Sequence, residues 1–197
     1  MKESLTLEVL QPLLKKTYFT SKEVLALGVK IAALHYYIKK GVVKRIRRGV
    51  YQSSTCRNLT FQWRDLIEAV ISVSGGVVCL ISALAIYELT EEIPRQHWIA
   101  VNNTTSIKKN REIRFTRLRN MDLGATHIDL EGVSVPIFDR ERTIVDSFRL
   151  LSRETAIKAL KIGLLQKGPK RINLVRLQEY AKKLRVDIAD FLMGFTT

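Results

Sequence analysis

Cysteine is almost absent from these 197 residues: Cys56 and Cys79 are the whole supply. Two thiols in a chain of this length make no disulfide framework and fit no zinc-ligand spacing, so a reducing, cytoplasmic setting is expected. Histidine is as scarce. His35, His97 and His127 are scattered, which leaves no pattern for a metal centre or a nucleophile and its base. No apolar run approaches the roughly 20 residues of a membrane span. The longest, residues 77–87, contains Ser82 and reads as a buried helix. The opening MKESLTLEVLQPLLKK lacks the apolar stretch and small-residue cleavage site of a signal peptide. Gly75-Gly76 has neither the Lys-Ser/Thr of a phosphate-binding loop nor a third glycine for a dinucleotide turn, so it reads as a plain turn. No cofactor, metal or catalytic residue is expected.

Negative charge is also short. Nineteen Asp and Glu face 33 Lys and Arg, a net charge of +14 with a pI near 10.0, which favours a polyanionic partner such as nucleic acid. The excess is uneven. Residues 1–56 hold eleven basic side chains against Glu3, Glu8 and Glu23, a net of +8, and the remaining 141 residues carry +6. With 46% hydrophobic residues the chain can fill a true core, and its length suits one large or two small domains.

The basic N-terminal part carries the clearest pattern. Leu7, Leu10 and Leu14 put an apolar stripe on a first helix over residues 6–16. Thr20 and Glu23 form a capping box that starts a second helix at Ser21, and Gly28 stops it where the chain must reverse. A third helix over 30–40 turns Ile31, Leu34 and Ile38 inward, with His35 near the edge of that face. Ala32, Ala33, Tyr36 and Lys40 are expected outward, with Lys30 and Lys39 on the flanks, where small residues admit the backbone to a major groove and polar ends reach phosphates or base edges. Gly41 ends the helix. Strands over 42–46 and 50–52, joined at Arg47-Arg48-Gly49, form a basic hairpin in which Lys44, Arg45, Arg47 and Arg48 are placed beside a phosphate backbone. Helix, turn, helix, basic hairpin is the order of a winged helix-turn-helix. Such modules bind duplex DNA, and some bind only proteins.

A seam is expected at Ser53-Ser54-Thr55, giving a winged helix over 1–55 and a second domain over 56–197. In the latter, helices are expected over 61–72 and 80–89, strands over 98–101, 112–118 and 128–138 (split at Glu131-Gly132), and helices over 140–151, 154–166, 173–184 and 187–193. Asp139 is the expected N-cap of the helix carrying Ile144, Phe148 and Leu151. The fold class is α+β: an N-terminal winged helix-turn-helix followed by a mixed α+β domain with a small sheet and C-terminal helices. Lys108, Lys109, Arg111, Arg114, Arg117 and Arg119 gather six cations in twelve residues. They suit an extension of a DNA footprint or an acidic protein surface. Asp122, Asp129, Glu131, Asp139 and Asp146 raise the alternative of a nuclease targeted by the winged helix, but no Asp is followed by a strand bearing Glu-x-Lys.

Three segments share a further likeness. Gly41 to Tyr51, GVVKRIRRGVY, resembles the wing of the AbiEi-type antitoxins of type IV toxin-antitoxin systems. Ser82-Ala83-Leu84, Leu89-Thr90 and Ile93-Pro94 are similar to that family's helix-then-proline segment, and Asp139-Arg140-Glu141-Arg142-Thr143-Ile144-Val145-Asp146 to its E-R-T/A-hydrophobic-hydrophobic-D helix. The resemblance implies a bacterial repressor that binds operator DNA in its own promoter and is paired with a nucleotidyltransferase-like toxin. It also implies a second domain that serves antitoxicity and adds to DNA binding. No catalytic residue and no membrane association come with it.

Overall fold

The computed structural model describes residues 2–55, 61–108 and 110–196. The chain forms two compact units. One contains Met1–Ser74 and Asp129–Val135, the other Gly75–Ile128 and Pro136–Thr197. Cys56 and Lys109 lie outside the described residues.

The N-terminal unit opens with helix α1 (Lys2–Leu14), a two-residue strand β1 (Phe19–Thr20), and helices α2 (Ser21–Ala26) and α3 (Ile31–Lys39). A hairpin of β2 (Val43–Arg47) and β3 (Val50–Ser53) follows, and then helix α4 (Phe61–Ser72). The three strands form an antiparallel sheet in the order β1-β3-β2. The expected capping box is present. Thr20 Oγ1 accepts from the Glu23 N–H at 3.3 Å, and Glu23 Oε2 accepts from the Thr20 N–H at 2.8 Å. Lys16 Nζ binds the other Glu23 oxygen at 2.6 Å. Burial works to raise the Glu23 carboxyl, but the bonds from Lys16 and Thr20 outweigh it and hold it below its ordinary range.

Both turns of the helix-turn-helix end in the same way. The Val29 N–H donates to Val24 C=O at 3.2 Å and the Val42 N–H to Tyr37 C=O at 3.0 Å, each bond spanning a left-handed glycine, Gly28 or Gly41. Satisfying two orphan carbonyls this way needs a positive φ, which only glycine adopts without strain. Leu10, Leu13, Phe19, Val24, Val29, Leu34, Tyr37, Val43 and Tyr51 fill the core, with Phe19 and Tyr51 stacked at 5.9 Å across paired strands.

The second unit holds most of a five-stranded sheet in the order β6-β5-β4-β8-β7. Its strands are β4 (Val77–Val78), β5 (His97–Asn102), β6 (Ile113–Leu118), β7 (Ala125–Leu130) and β8 (Val133–Phe138). Strand β4 runs antiparallel to β5 and parallel to β8, and β5 runs parallel to β6. Around the sheet stand α5 (Leu80–Ile86), α6 (Arg140–Leu150), α7 (Arg153–Leu165), α8 (Leu174–Leu184) and α9 (Ala189–Thr196). The α+β class is as the sequence pattern implies. The apolar run 77–87 is not one helix, however. Val77 and Val78 enter the sheet, where β-branched side chains pack well, and the helix starts only at Leu80. The split expected at Glu131-Gly132 is present as the turn of a hairpin, where both residues take positive φ, but its first arm begins at Ala125, three residues before the expected start.

Candidate nucleic-acid interface

Helix α3 has the composition of a groove-entering helix, and its burial pattern fixes which face is free. Leu34 and Tyr37 are buried, and Ile31, Ala33 and Ile38 pack against the same core. At about 100° per residue the outward face is therefore centred on Ala32, Tyr36 and Lys39, flanked by His35 and Lys40. All five are exposed, as is the N-cap Lys30. Two expectations change. Ala33 is half-buried against the core instead of facing out, and His35 is exposed instead of sitting at the core edge. Tyr37 was missed as a core residue. Its spacing of three from Leu34 carried the signal, and its ring meets Tyr36 edge-on at 5.4 Å. Lys40 Nζ lies 5.4 Å from the centre of the Tyr36 ring, so cation and aromatic form one outward cluster.

The hairpin is less regular than an alternating strand. Arg45 pairs with Tyr51 and Arg47 with Val50, so Ile46 is the extra residue of a bulge. A bulge re-aims side chains. Here Lys44, Arg45 and the turn residue Arg48 are exposed, while the Arg47 side chain keeps only 21% of its surface and points to Glu68. Glu68 of α4, itself 6% exposed, accepts from Arg64 Nε at 3.0 Å and from the Tyr18 hydroxyl at 3.1 Å, with Arg47 Nε at 3.5 Å. Burial first, and then the Glu68 charge, push the Tyr18 hydroxyl up to about 12. Sequence reasoning missed Glu68. The Arg64–Glu68 spacing of four was visible, but the long-range partners were not.

In the second unit, Lys108, Arg111, Arg114, Arg117 and Arg119 are all exposed along or beside β6, an edge strand of the sheet. The sixth expected cation, Lys109, is outside the described residues. The Arg114 guanidinium lies 4.2 Å over the Trp98 ring, and Arg117 Nη1 donates to Asn103 and Thr105 carbonyls at 2.9 and 2.8 Å. The surface is thus partly ordered before any partner arrives. Such cations also keep an edge strand from pairing with another chain.

Three of the five carboxylates raised as nuclease candidates, Asp129, Asp139 and Asp146, hold structural partners. Asp139 caps α6 through the Arg142 N–H at 2.8 Å and accepts from the Tyr180 hydroxyl at 3.0 Å, while burial raises its pKa. Asp146 binds Arg142 and Arg149 at 2.7 Å each, and Asp129 accepts from the Gly132 N–H at 2.9 Å. Among the described residues no three His, Cys, Asp or Glu side chains gather as a metal site. Cys79 is buried, and burial drives its thiol far above its ordinary pKa.

Helix, glycine turn, helix with a free polar face, and basic hairpin together define a winged helix-turn-helix. Within that module, residues 8–54 are similar to the AbiEi antitoxin transcriptional regulators. The match runs from within α1 to the end of β3 and leaves α4 and the second unit outside it. No curated protein matches the chain significantly. Among the described residues no helix is long and apolar enough to cross a membrane.

Proposed function

We propose that this protein is a cytoplasmic transcriptional repressor and antitoxin that binds duplex operator DNA in its own promoter and acts without chemistry of its own. The observation that carries the reading is the coincidence of two things on residues 8–54. The segment that matches the antitoxin regulators is also the one whose α3 turns Tyr36, Lys39 and Lys40 outward beside the exposed wing cations Lys44, Arg45 and Arg48. Helix α3, with Lys30 at its start, enters the major groove, and the wing cations hold phosphates. The β6 cations add a second polyanion contact. A nucleotidyltransferase-like toxin is the expected partner of the second unit.

Binding to the protein's own upstream DNA tests the first claim. Five phosphate contacts from Lys39, Lys40, Lys44, Arg45 and Arg48 give a slope of about −4.5 in log K against log salt. Replacing Tyr36 alters preference at one base, whereas losing one wing arginine weakens all sequences alike. A slope near zero, or an Arg45, Arg48 double alanine variant that binds as the parent does, refutes the reading. Incubation with plasmid and Mg²⁺ addresses the enzymatic alternative, because the repressor leaves the DNA intact. Co-purification with the product of the adjacent gene tests the partner.

A further inference from the structure

The wing of the N-terminal unit carries consecutive arginines, and the structure treats them differently. Arg48 lies exposed at the hairpin turn and Arg45 is exposed on β2. Arg47 sits past the bulge, half-buried, with its guanidinium directed at a carboxylate that is itself almost wholly buried. An ionised carboxylate in such a place must be paired and hydrogen-bonded. Glu68 satisfies this with side chains from three separate elements: Tyr18 just before β1, Arg47 from the wing, and Arg64 one turn earlier on α4 itself. Arg64 and Tyr18 supply the short bonds at 3.0 and 3.1 Å, and Arg47 adds a longer charge contact at 3.5 Å. One carboxylate therefore joins the base of the wing, the strand leading into the first DNA-side helix, and α4.

We propose that Glu68 is a positioning residue for the wing: through Arg47 it ties β2 to α4, so that Arg47 is a tether and makes no phosphate contact when DNA is bound. The inference rests on the DNA-binding reading above. It has two consequences. Helix α4, which lies beyond the segment matched to the antitoxin regulators, belongs to the working DNA-binding unit. The wing's phosphate contacts come from Lys44, Arg45 and Arg48, and the guanidinium of Arg47 is spent on orienting them.

The salt dependence of DNA binding separates a tether from a contact, because only a lost phosphate contact changes the number of counterions released. The full chain and its R45A, R47A, R48A and E68Q variants are titrated with upstream duplex DNA by fluorescence anisotropy at several salt concentrations. Amide hydrogen exchange over residues 43–53 is followed in the free proteins. R45A and R48A are each expected to flatten the slope by about 0.9. R47A is expected to leave the slope unchanged while weakening binding several-fold at every salt concentration. In both R47A and E68Q the β2–β3 amides exchange faster than in the parent, and R47K, which keeps the charge, restores the slow exchange. A slope flattened by about 0.9 in R47A overturns the proposal, as does unaltered β2–β3 exchange in R47A and E68Q. If none of the variants changes the slope because the parent does not bind DNA, the repressor reading fails and the exchange arm alone decides the tether.

Discussion

The wing and helix α6 are both dense in arginine, and the two regions put the same side chain to opposite uses. Arg45 and Arg48 stand in solvent on a hairpin, whereas Arg142 is 1% exposed, the largest fully buried side chain among the described residues. Arg142 donates from Nε to Asp146 at 2.7 Å, from Nη1 to the Leu123 carbonyl at 2.7 Å and from Nη2 to the Asn120 carbonyl at 3.2 Å, and it lies 4.6 Å over the Phe138 ring. A planar fork is suited to satisfying one carboxylate and two carbonyls at once, and an ammonium is not. The motif Asp139 to Asp146, which lies outside the matched residues 8–54, is therefore architecture. Its Asp caps the helix, its Glu141 accepts from the Asn173 N–H at 2.6 Å, and its Arg and second Asp pin the loop before β7. An arginine cluster in sequence says nothing of function until exposure is known.

The sharpest test of this contrast is to delete one arginine from each region. Replacing Arg142 by alanine leaves Asp146 buried with Arg149 alone, and is expected to cost about 3–5 kcal/mol in urea unfolding. Exposed Arg48→Ala should stay within about 0.5 kcal/mol of the parent. Comparable losses in the two variants would erase the distinction. The loop that Arg142 pins supplies the next test. Gly124 has φ +70°, and a Cβ there would lie 2.6 Å from Arg142 Cβ, so G124A combines backbone strain with overpacking. About 2 kcal/mol or more should be lost, with the arginine displaced. On the wing side, the matching local device is the Thr20 cap. T20A removes the acceptor for the Glu23 N–H, and is expected to cost about 1 kcal/mol while leaving the second unit's hydrogen exchange unaltered.

Local chemistry made much of the fold legible. The capping box, the Gly28 and Gly41 turns, the extent of α4 and the Asp139 cap each depend on residues within one or two turns, and sequence spacing records such relations directly. The strands β1 and β4 were not legible, because two residues have no periodicity of their own and exist as strands only through partners at Val50–Tyr51 and at Ile99–Ala100 and Ile137. The candidate site divides along the same line. Tyr36, Lys39, Lys40, Lys44, Arg45 and Arg48 are exposed as the helix and hairpin patterns imply. Ala33 and His35 differ because Tyr37 joins the core, which its spacing of three from Leu34 signals, and Arg47 differs because of a bulge, which strand alternation does not detect. Glu68 shows the limit most clearly. It looks like one half of a surface i, i+4 pair with Arg64, yet its other partners are 50 and 21 residues away.

That buried carboxylate gives a last and smaller way to sharpen the comparison, through pH. Tyr18 donates its hydroxyl to Glu68, and burial together with the Glu68 charge raises its pKa from 10.0 to about 12. Between these values the unfolded chain gives up the proton while the folded chain keeps it. The unfolded state then binds fewer protons, so stability falls as pH rises from about 10 to about 12 and is fully present below that window. Tyr180, raised to about 12 by its own burial and by Asp139, contributes a similar decline from the second unit. Y18F should therefore flatten the alkaline loss of stability without abolishing it, as read from urea unfolding at pH 9 to 12. A decline in Y18F as steep as the parent's would mean that the Tyr18–Glu68 bond is not held in solution, and the base of the wing would then resemble its exposed tip more than the interior of α6.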